Sequence, residues 1–253
     1  MSLAASNTLA GRRLLVTGAS SGIGAATARA LAAEGAVVIA GGRDAVRLQA
    51  LVEALPGQGH RPHPGVLGDA DGAAEWVSAA AGEAPLDGIF HAAGVELIRP
   101  ARMMRQAHID QLFGASVHAA LGIARAASSR GVVQDGASIV FMSSVAAQSG
   151  QVGMTGYCAS KAAIDGLCRA LALELAPRRI RVNTLVAGAV HTPMHDRIVA
   201  GAGEAAMVEY DRRHPLGIGE PGDIAAAALF LLGPGSRWIT GTSLVVDGGY
   251  LAR

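Results

Sequence analysis

The chain is poor in cysteine, in aromatic residues and in charge. It has 253 residues and only two cysteines, Cys158 and Cys168. They fall ten positions apart in one helical pattern, roughly 15 Å along the axis, too far to pair there. Nothing in the cysteine usage points to an oxidising compartment. Aromatic residues make up 4%, charged residues 16%, and the formal net charge is +1. No long basic stripe is present, so no nucleic-acid partner is expected. No apolar run reaches the length of about 18 residues that a membrane span needs, so no membrane is expected either. The first ten residues lack a basic start and a sustained apolar core, which argues against a signal peptide. The expected location is cytoplasmic. No Pro/Gly/Ser linker, charge block or low-complexity tract divides the chain, so residues 1–253 are read as a single domain.

What the chain does have is 51% hydrophobic residues and 34 glycines. The glycines are most informative in Thr17–Gly24, T-G-A-S-S-G-I-G. This stretch follows the apolar run Leu14-Leu15-Val16 and opens a helical pattern carrying Ala25, Ala28, Leu31 and Ala32. Gly18, Gly22 and Gly24 allow a sharp turn and a close approach to a ligand. The N–H groups and positive dipole end of the following helix suit a pyrophosphate. The spacing is G-x-x-x-G-x-G rather than the common G-x-G-x-x-G, but the strand–turn–helix context is the required one. The bland alternative is a glycine turn with no ligand.

The rest of the chain repeats that alternation. Strands are expected at Arg13–Thr17, Val37–Ala40, His60–Leu67, Gly88–His91, Ser138–Met142, Arg181–Leu185 and Ser243–Val246. The third is weak because of Pro62 and Pro64. Helices are expected at Gly24–Glu34, after Asp44, at Ala73–Ala81 capped by Asp69 or Asp71, and at Ala107–Ser129, Tyr157–Leu175 and Asp223–Leu232. Met1–Ala10 is read as a loose tail, and 191–219 as a cap over the strand ends. The pattern implies an α/β fold: a doubly wound, parallel, seven-stranded sheet with helices on both faces. Such sheets bind ligands at the carboxyl ends of their strands. The Gly18 turn, the Ala92-Ala93-Gly94 turn, Ser143-Ser144 and Gly188 all fall at such ends.

Tyr157 and Lys161 are four apart at the start of a helix and share a face. A free phenol titrates near 10 and is a poor base at neutral pH. A nearby ammonium and the helix N-terminus would favour the phenolate and bring it into working range. Without context, both residues could be ordinary surface. Ser144, at a strand end thirteen residues earlier, could hold a carbonyl oxygen beside the phenol, or simply cap a turn. A hydrolase would need a G-x-S-x-G elbow, and the context is Phe141-Met142-Ser143-Ser144-Val145. His91, His191 and His195 show no metal-ligand spacing, so no metal is expected.

Together these motifs resemble the short-chain dehydrogenase/reductase family over Leu9–Tyr250. Thr17-Gly18-x-x-x-Gly22-x-Gly24 resembles its cofactor motif, and Ala92-Ala93-Gly94 its second turn, with His91 where Asn is common. Ser144, Tyr157 and Lys161 fall on its Ser-Tyr-Lys set. Arg181-Val182-Asn183, Gly188 and Thr192-Pro193-Met194 fall on the segment flanking the nicotinamide, and Asp247-Gly248-Gly249 on its C-terminal signature. The resemblance implies a Rossmann-type domain and hydride transfer between a secondary alcohol and a ketone. Tyr157 would exchange the proton, Lys161 would hold the nicotinamide ribose and lower the phenol's pKa, and Ser144 would orient the substrate oxygen. The implied cofactor contacts are Gly18, Ser20, Ser21, Gly22, Ile23, Gly24, Arg43, Ala92, Ala93, Gly94, Tyr157, Lys161, Gly188, Val190 and Thr192. The implied substrate pocket is Ser144, Ala146, Gln151, Met154, Ala189 and His195, with Met207 and Tyr210.

Three departures stand out. The family's fourth catalytic residue, an Asn, aligns with Ser116. Its Pro before Gly188 is Ala187. The acidic residue near adenine aligns closer to Val66 than to Asp69. For the cofactor, the end of the second strand carries Gly42 and Arg43 where an NAD site usually has a carboxylate, which favours NADP, with NAD as the alternative. Ser21 lacks the positive charge that often accompanies the 2′-phosphate. The expected partner is a small alcohol or carbonyl. One alternative is a 3-oxoacyl-[acyl-carrier-protein] reductase, needing a basic mouth for which Arg102, Arg105, Arg130, Arg212 and Arg213 are candidates. Another is a regulatory protein that binds a dinucleotide without turnover. A homotetramer is expected, from the family and from apolar residues on the two long helices: Leu112, Phe113, Ala119, Ala120, Ala127, Leu167, Leu171 and Leu175.

Overall fold

The computed structural model describes residues 8–201, 210 and 212–252. Seven strands form one parallel sheet: β1 Arg13–Thr17, β2 Val37–Gly42, β3 Arg61–Pro64, β4 Leu86–His91, β5 Val133–Ser144, β6 Arg181–Ala187 and β7 Ser243–Val246. Their order is β3-β2-β1-β4-β5-β6-β7. The winding reverses between β1 and β4, and a crevice opens there at the strands' carboxyl ends. The strands are apolar on both sides because both faces are covered. Leu14, Val16, Phe90 and Val140 pack on one face, against α1 Gly22–Ala33, α2 Ala45–Glu53 and α8 Pro221–Leu232. Leu15, Ile39, Ile89 and Ile139 pack on the other, against α3 Ala70–Ala81, α5 Ala119–Ser128 and α6 Thr155–Leu175.

Several local expectations shift by a few residues. β2 runs on through Gly41 and Gly42, two residues past its expected end at Ala40. β3 survives its prolines because it is the edge strand, paired on one side only. Asp69, not Asp71, caps α3 by accepting from Gly72 N at 2.8 Å. Pro221 opens α8 in the first turn, where its missing N–H costs nothing. Of the expected loose tail, residues 1–7 lie outside the described residues. Leu9 does not fit that expectation: it is fully buried, and its N–H donates to the Glu34 carbonyl at 3.1 Å.

The single long helix expected over Ala107–Ser129 is three pieces. α4 Gln106–Phe113 and α5 are joined by a π-helical turn, Gly114–His118. A Cβ at Gly114 would lie 2.9 Å from the Gly68 carbonyl, so this glycine lets the helix lie against the β3–α3 loop. π turns are rare and concentrate at functional sites. The apolar-surplus argument for oligomerisation also fails as expected from sequence. Leu112, Ala119, Ala120, Ala127, Leu171 and Leu175 are all buried within the chain's own core. The large apolar side chains left exposed are others, including Leu121, Leu173, Phe230 and Trp238. No helix among the described residues is long and apolar enough to cross a membrane.

Candidate active site

A groove of about 1450 Å³ runs over the carboxyl ends of β1, β2 and β4. Its floor is built by glycines whose neighbours leave no room for a side chain. Gly18 sits at φ +67°, and a Cβ there would lie 2.8 Å from Ala93 N. A Cβ on Gly24 would lie 2.3 Å from the Gly18 carbonyl oxygen. Gly22, at φ +52°, faces Thr192. The turn is tied to β4 by Thr17, whose Oγ1 accepts from Ala93 N at 3.1 Å. Ser21 stands at the N-cap of α1, yet its side chain makes no capping hydrogen bond, and the first turn holds no acidic residue. The N–H groups of α1 are thus left for an anion. These features fit a dinucleotide pyrophosphate.

The expected cofactor contacts Gly18, Ser20, Ser21, Gly22, Ile23, Gly24, Arg43, Ala92, Ala93, Gly94 and Thr192 all line this groove. Val66 lines it too, whereas Asp69 is taken up as a helix cap. Neither therefore offers a carboxylate to the adenine end.

A second cavity of about 790 Å³ adjoins the groove. Ile23, Ala92, Gly94, Val95, Thr192 and Met194 form walls of both. Ser144, Tyr157 and Lys161 meet in this cavity, delivered by the end of β5 and the first turns of α6. Ala146, Gln151, Met154, Ala189, His195 and Tyr210 line it, and so do Gly188 and Val190, which the sequence reading gives to the cofactor. Met207 lies outside the described residues, as does part of the expected cap; the described part of the cap includes α7 Pro193–Gly201.

The electrostatics differ from the expectation. Tyr157 is buried, and its phenol is pushed up from 10, not down. Burial is the largest cause, and the Glu96 carboxylate adds to it. A hydrogen bond with the Ser144 hydroxyl works the other way and loses. Lys161 lies 5.7 Å from the Tyr157 ring centroid and donates to the Met142 carbonyl at 3.0 Å. Burial brings Lys161 itself down to about 8, against the raising effect of Glu96 and Asp165. In this state the phenol is a proton donor throughout the neutral range.

Ser116 is on the wall of neither cavity. It is buried in the π turn, behind Gly94: a methyl built on Gly94 would lie 3.7 Å from Ser116 Oγ and 3.6 Å from Lys161 Nζ. Among the described residues, Ser116 Oγ has no hydrogen-bond partner; the His91 ring meets the backbone of Ser116 and Ala115, its Nε2 short of good hydrogen-bond geometry. His91 is fully buried and held neutral, pushed down to about 3 by burial and by Lys161. Its Nδ1 lies 2.8 Å from Thr17 Oγ1.

Four residues escaped the sequence reading. Glu96 lines the cavity, and its carboxyl is pushed up to about 7 by burial, against the charges of Lys161 and Arg197. Arg197 lines the groove from α7. Tyr250 accepts from Gln151 Nε2 at 3.1 Å, and His214 Nε2 accepts from Ala189 N at 3.0 Å, so both brace residues of the cavity wall. Only Glu96 had a local signal, its place two residues past the Gly94 turn. The basic mouth does not assemble as a unit: Arg130 lies beside Pro85 and Val133, at the amino end of the sheet, away from the cavity.

A glycine-lined groove opening onto a phenol, a hydroxyl and a buried ammonium defines a nicotinamide-dependent oxidoreductase. Comparison with known proteins agrees. The family model described as "Enoyl-(Acyl carrier protein) reductase" matches residues 18–251. L-xylulose reductase of Bos taurus is 36% identical over 251 residues, covering 96% of this chain and 98% of that protein. The 3-oxoacyl-[acyl-carrier-protein] reductase of Thermotoga maritima is 34% identical over 245 residues, covering 95% and 98%. Among solved structures, a blue fluorescent protein from a metagenomic library in complex with NADPH superposes with a TM-score of 0.87 at 33% identity, covering 96% of this chain and 99% of that one. The chain belongs to the short-chain dehydrogenase/reductase family. It is an NAD(P)-dependent oxidoreductase that interconverts a secondary alcohol and a ketone.

Proposed function

We propose that this chain is an NADP(H)-dependent reductase of a small ketone, with Ser144, Tyr157 and Lys161 as its catalytic residues. The observation that carries the reading is the Tyr157 phenol beside Ser144 and Lys161, in a cavity that shares walls with the glycine groove. The groove residues hold the dinucleotide, with its pyrophosphate on the α1 N-terminus and its nicotinamide end toward Thr192, Gly188 and Val190. When bound, the reduced cofactor supplies the hydride. Ser144 holds the carbonyl oxygen, and Tyr157 gives it the proton. Lys161 places its ammonium beside the phenol and toward the ribose. Mixing the purified chain with NADPH and a panel of ketones tests this; NADPH must be consumed in proportion to the alcohol formed.

For the cofactor, Arg43 on the groove wall meets the 2′-phosphate, and Gly42 presents no carboxylate to repel it. The NADPH-bound relative supports the choice. Replacing Arg43 with Ala is expected to lower kcat/KM for NADPH by about 10–100-fold and leave that for NADH nearly unchanged. An equal loss with both cofactors would remove Arg43 from this role.

Ser116 acts as a positioning residue on the proton path. With His91 it holds a water behind Gly94 that connects Lys161 to solvent. Ser116→Asn is expected to keep or raise kcat. Ser116→Ala is expected to slow alcohol oxidation a few-fold below alkaline pH, where removing the Tyr157 proton limits the rate. A pH–rate profile of Ser116→Ala that overlays wild type throughout would exclude the relay.

The remaining assignments follow the family. Residues 1–253 form a single domain with 191–219 as its cap, located in the cytoplasm. Exposed Phe230, Trp238, Leu121 and Leu173 support a homotetramer, and light scattering at micromolar concentration checks it. A carrier-protein-bound substrate is the second reading, favoured by the relative from Thermotoga maritima. It predicts far higher kcat/KM for a ketoacyl-carrier protein than for the free ketone.

A further inference from the structure

Glu96 has no task in the reaction assigned to Ser144, Tyr157 and Lys161, yet it shares their cavity. It is the only carboxylate on that wall among the described residues. The loop after the Gly94 turn brings it there, partly buried. Among the described residues, no hydrogen bond or ion pair ties its carboxyl to another side chain. A carboxylate half removed from water without a partner is costly, and a ligand that donates a hydrogen bond offsets that cost.

The surroundings say which donor. Lys161 and Arg197 already act on this carboxylate from α6 and α7, and Tyr157 faces it from α6. A cationic substrate would meet two like charges. A neutral hydroxyl would not, and it can donate to the carboxyl oxygen whether Glu96 is charged or protonated. Gln151, with its amide donating to Tyr250, stands on the same wall and offers a second polar contact. A bare alkyl chain would leave the Glu96 carboxyl desolvated with no hydrogen-bond donor.

We propose that Glu96 is a specificity-determining residue: its carboxylate accepts a hydrogen bond from a substrate hydroxyl away from the reacting carbon, so the cavity selects a polyhydroxylated ketone over an unsubstituted one. This rests on the ketone-reductase reading above. It assigns Glu96 no part in proton or hydride transfer.

The test compares L-xylulose with 2-pentanone, ketones of equal chain length, using NADPH and the full chain. Wild type should favour the ketose in kcat/KM. Glu96→Ala should lower kcat/KM for the ketose by about 10–100-fold, mainly through KM, and change that for 2-pentanone by no more than a few-fold. Glu96→Gln keeps the shape and a weaker acceptor, and should fall between the two. Thermal melting and the Kd for NADPH check that each variant is folded and loads its cofactor. An equal loss on both ketones overturns the proposal, because Glu96 would then act on the cavity or on Tyr157 rather than on the hydroxyls. A wild type that reduces 2-pentanone as well as the ketose leaves the reductase reading standing and overturns the role of Glu96. A wild type inert on both, while folded and binding NADPH, overturns the reading beneath as well.

Discussion

Replacing Tyr157 with Phe is expected to lower turnover by roughly 10²–10⁴-fold, the usual contribution of a positioned acid or base. Fold and cofactor affinity should stay close to wild type. The ring fills the same space among Leu112, Ala146 and Met154, so packing is kept. What disappears is one hydroxyl, the one that shares a hydrogen bond with Ser144 and faces the cavity. The phenol starts protonated, gives its proton to the carbonyl oxygen as the ketone is reduced, and is left as a phenolate that must be reprotonated before the next turnover. The loss should therefore appear in kcat, with Kd for NADPH little changed in a fluorescence titration. A Phe variant with half the wild-type kcat would take the proton-transfer role away from Tyr157.

Gly24→Ala is expected to cripple cofactor binding through one methyl group. Its Cβ would lie 2.3 Å from the Gly18 oxygen and 2.7 Å from the Gly18 carbonyl carbon, both backbone atoms. Side-chain rotation cannot relieve such a contact. Gly18 cannot retreat freely, because it already packs tightly against Ala92 and Ala93. The turn must open, and overpacking of this kind costs about 1–3 kcal/mol. We expect Kd for NADPH to rise by about 10-fold or more, with a lower Tm. Gly222→Ala, in the first turn of α8, is the control: a Cβ there meets nothing within 4 Å. If both variants bind NADPH like wild type, the close approach of Gly18 and Gly24 is not what shapes the groove.

The proton-donor state of Tyr157 reverses the direction expected from Lys161 four residues away. A helical spacing shows that a phenol and an ammonium share a face. It does not show how much water either retains. Both are buried here, and burial opposes charge on each: the phenol rises, and the ammonium falls to about 8. Glu96, 65 positions from Lys161 in the chain, enters both balances. No local pattern marks that meeting.

The apolar residues of α5 and α6 teach the same lesson. Ala120, Ala127, Leu171 and Leu175 read as surplus while the thickness of the helix layer was unknown. The packed layer uses them all. The sequence marks Ser116 only as the occupant of a family position. That it sits in a π turn behind Gly94, with an unpaired hydroxyl, depends on how α4, Gly68 and β4 pack around it.

The sequence by itself determined the seven strands, their parallel winding, the glycine turn and the Tyr157–Lys161 pair. Each of these is written in short-range terms: strand length, helical period, a glycine where no Cβ fits, a proline or Asp at a helix start. The tertiary structure alone decided the strand order that sets the Thr17 turn beside His91, the burial that raises the Tyr157 phenol rather than lowering it, and the arrival of Glu96 and Tyr250 at the cavity. Those depend on desolvation and on contacts between distant segments. Desolvation is a property of the whole packed neighbourhood, and no window of neighbouring residues contains it.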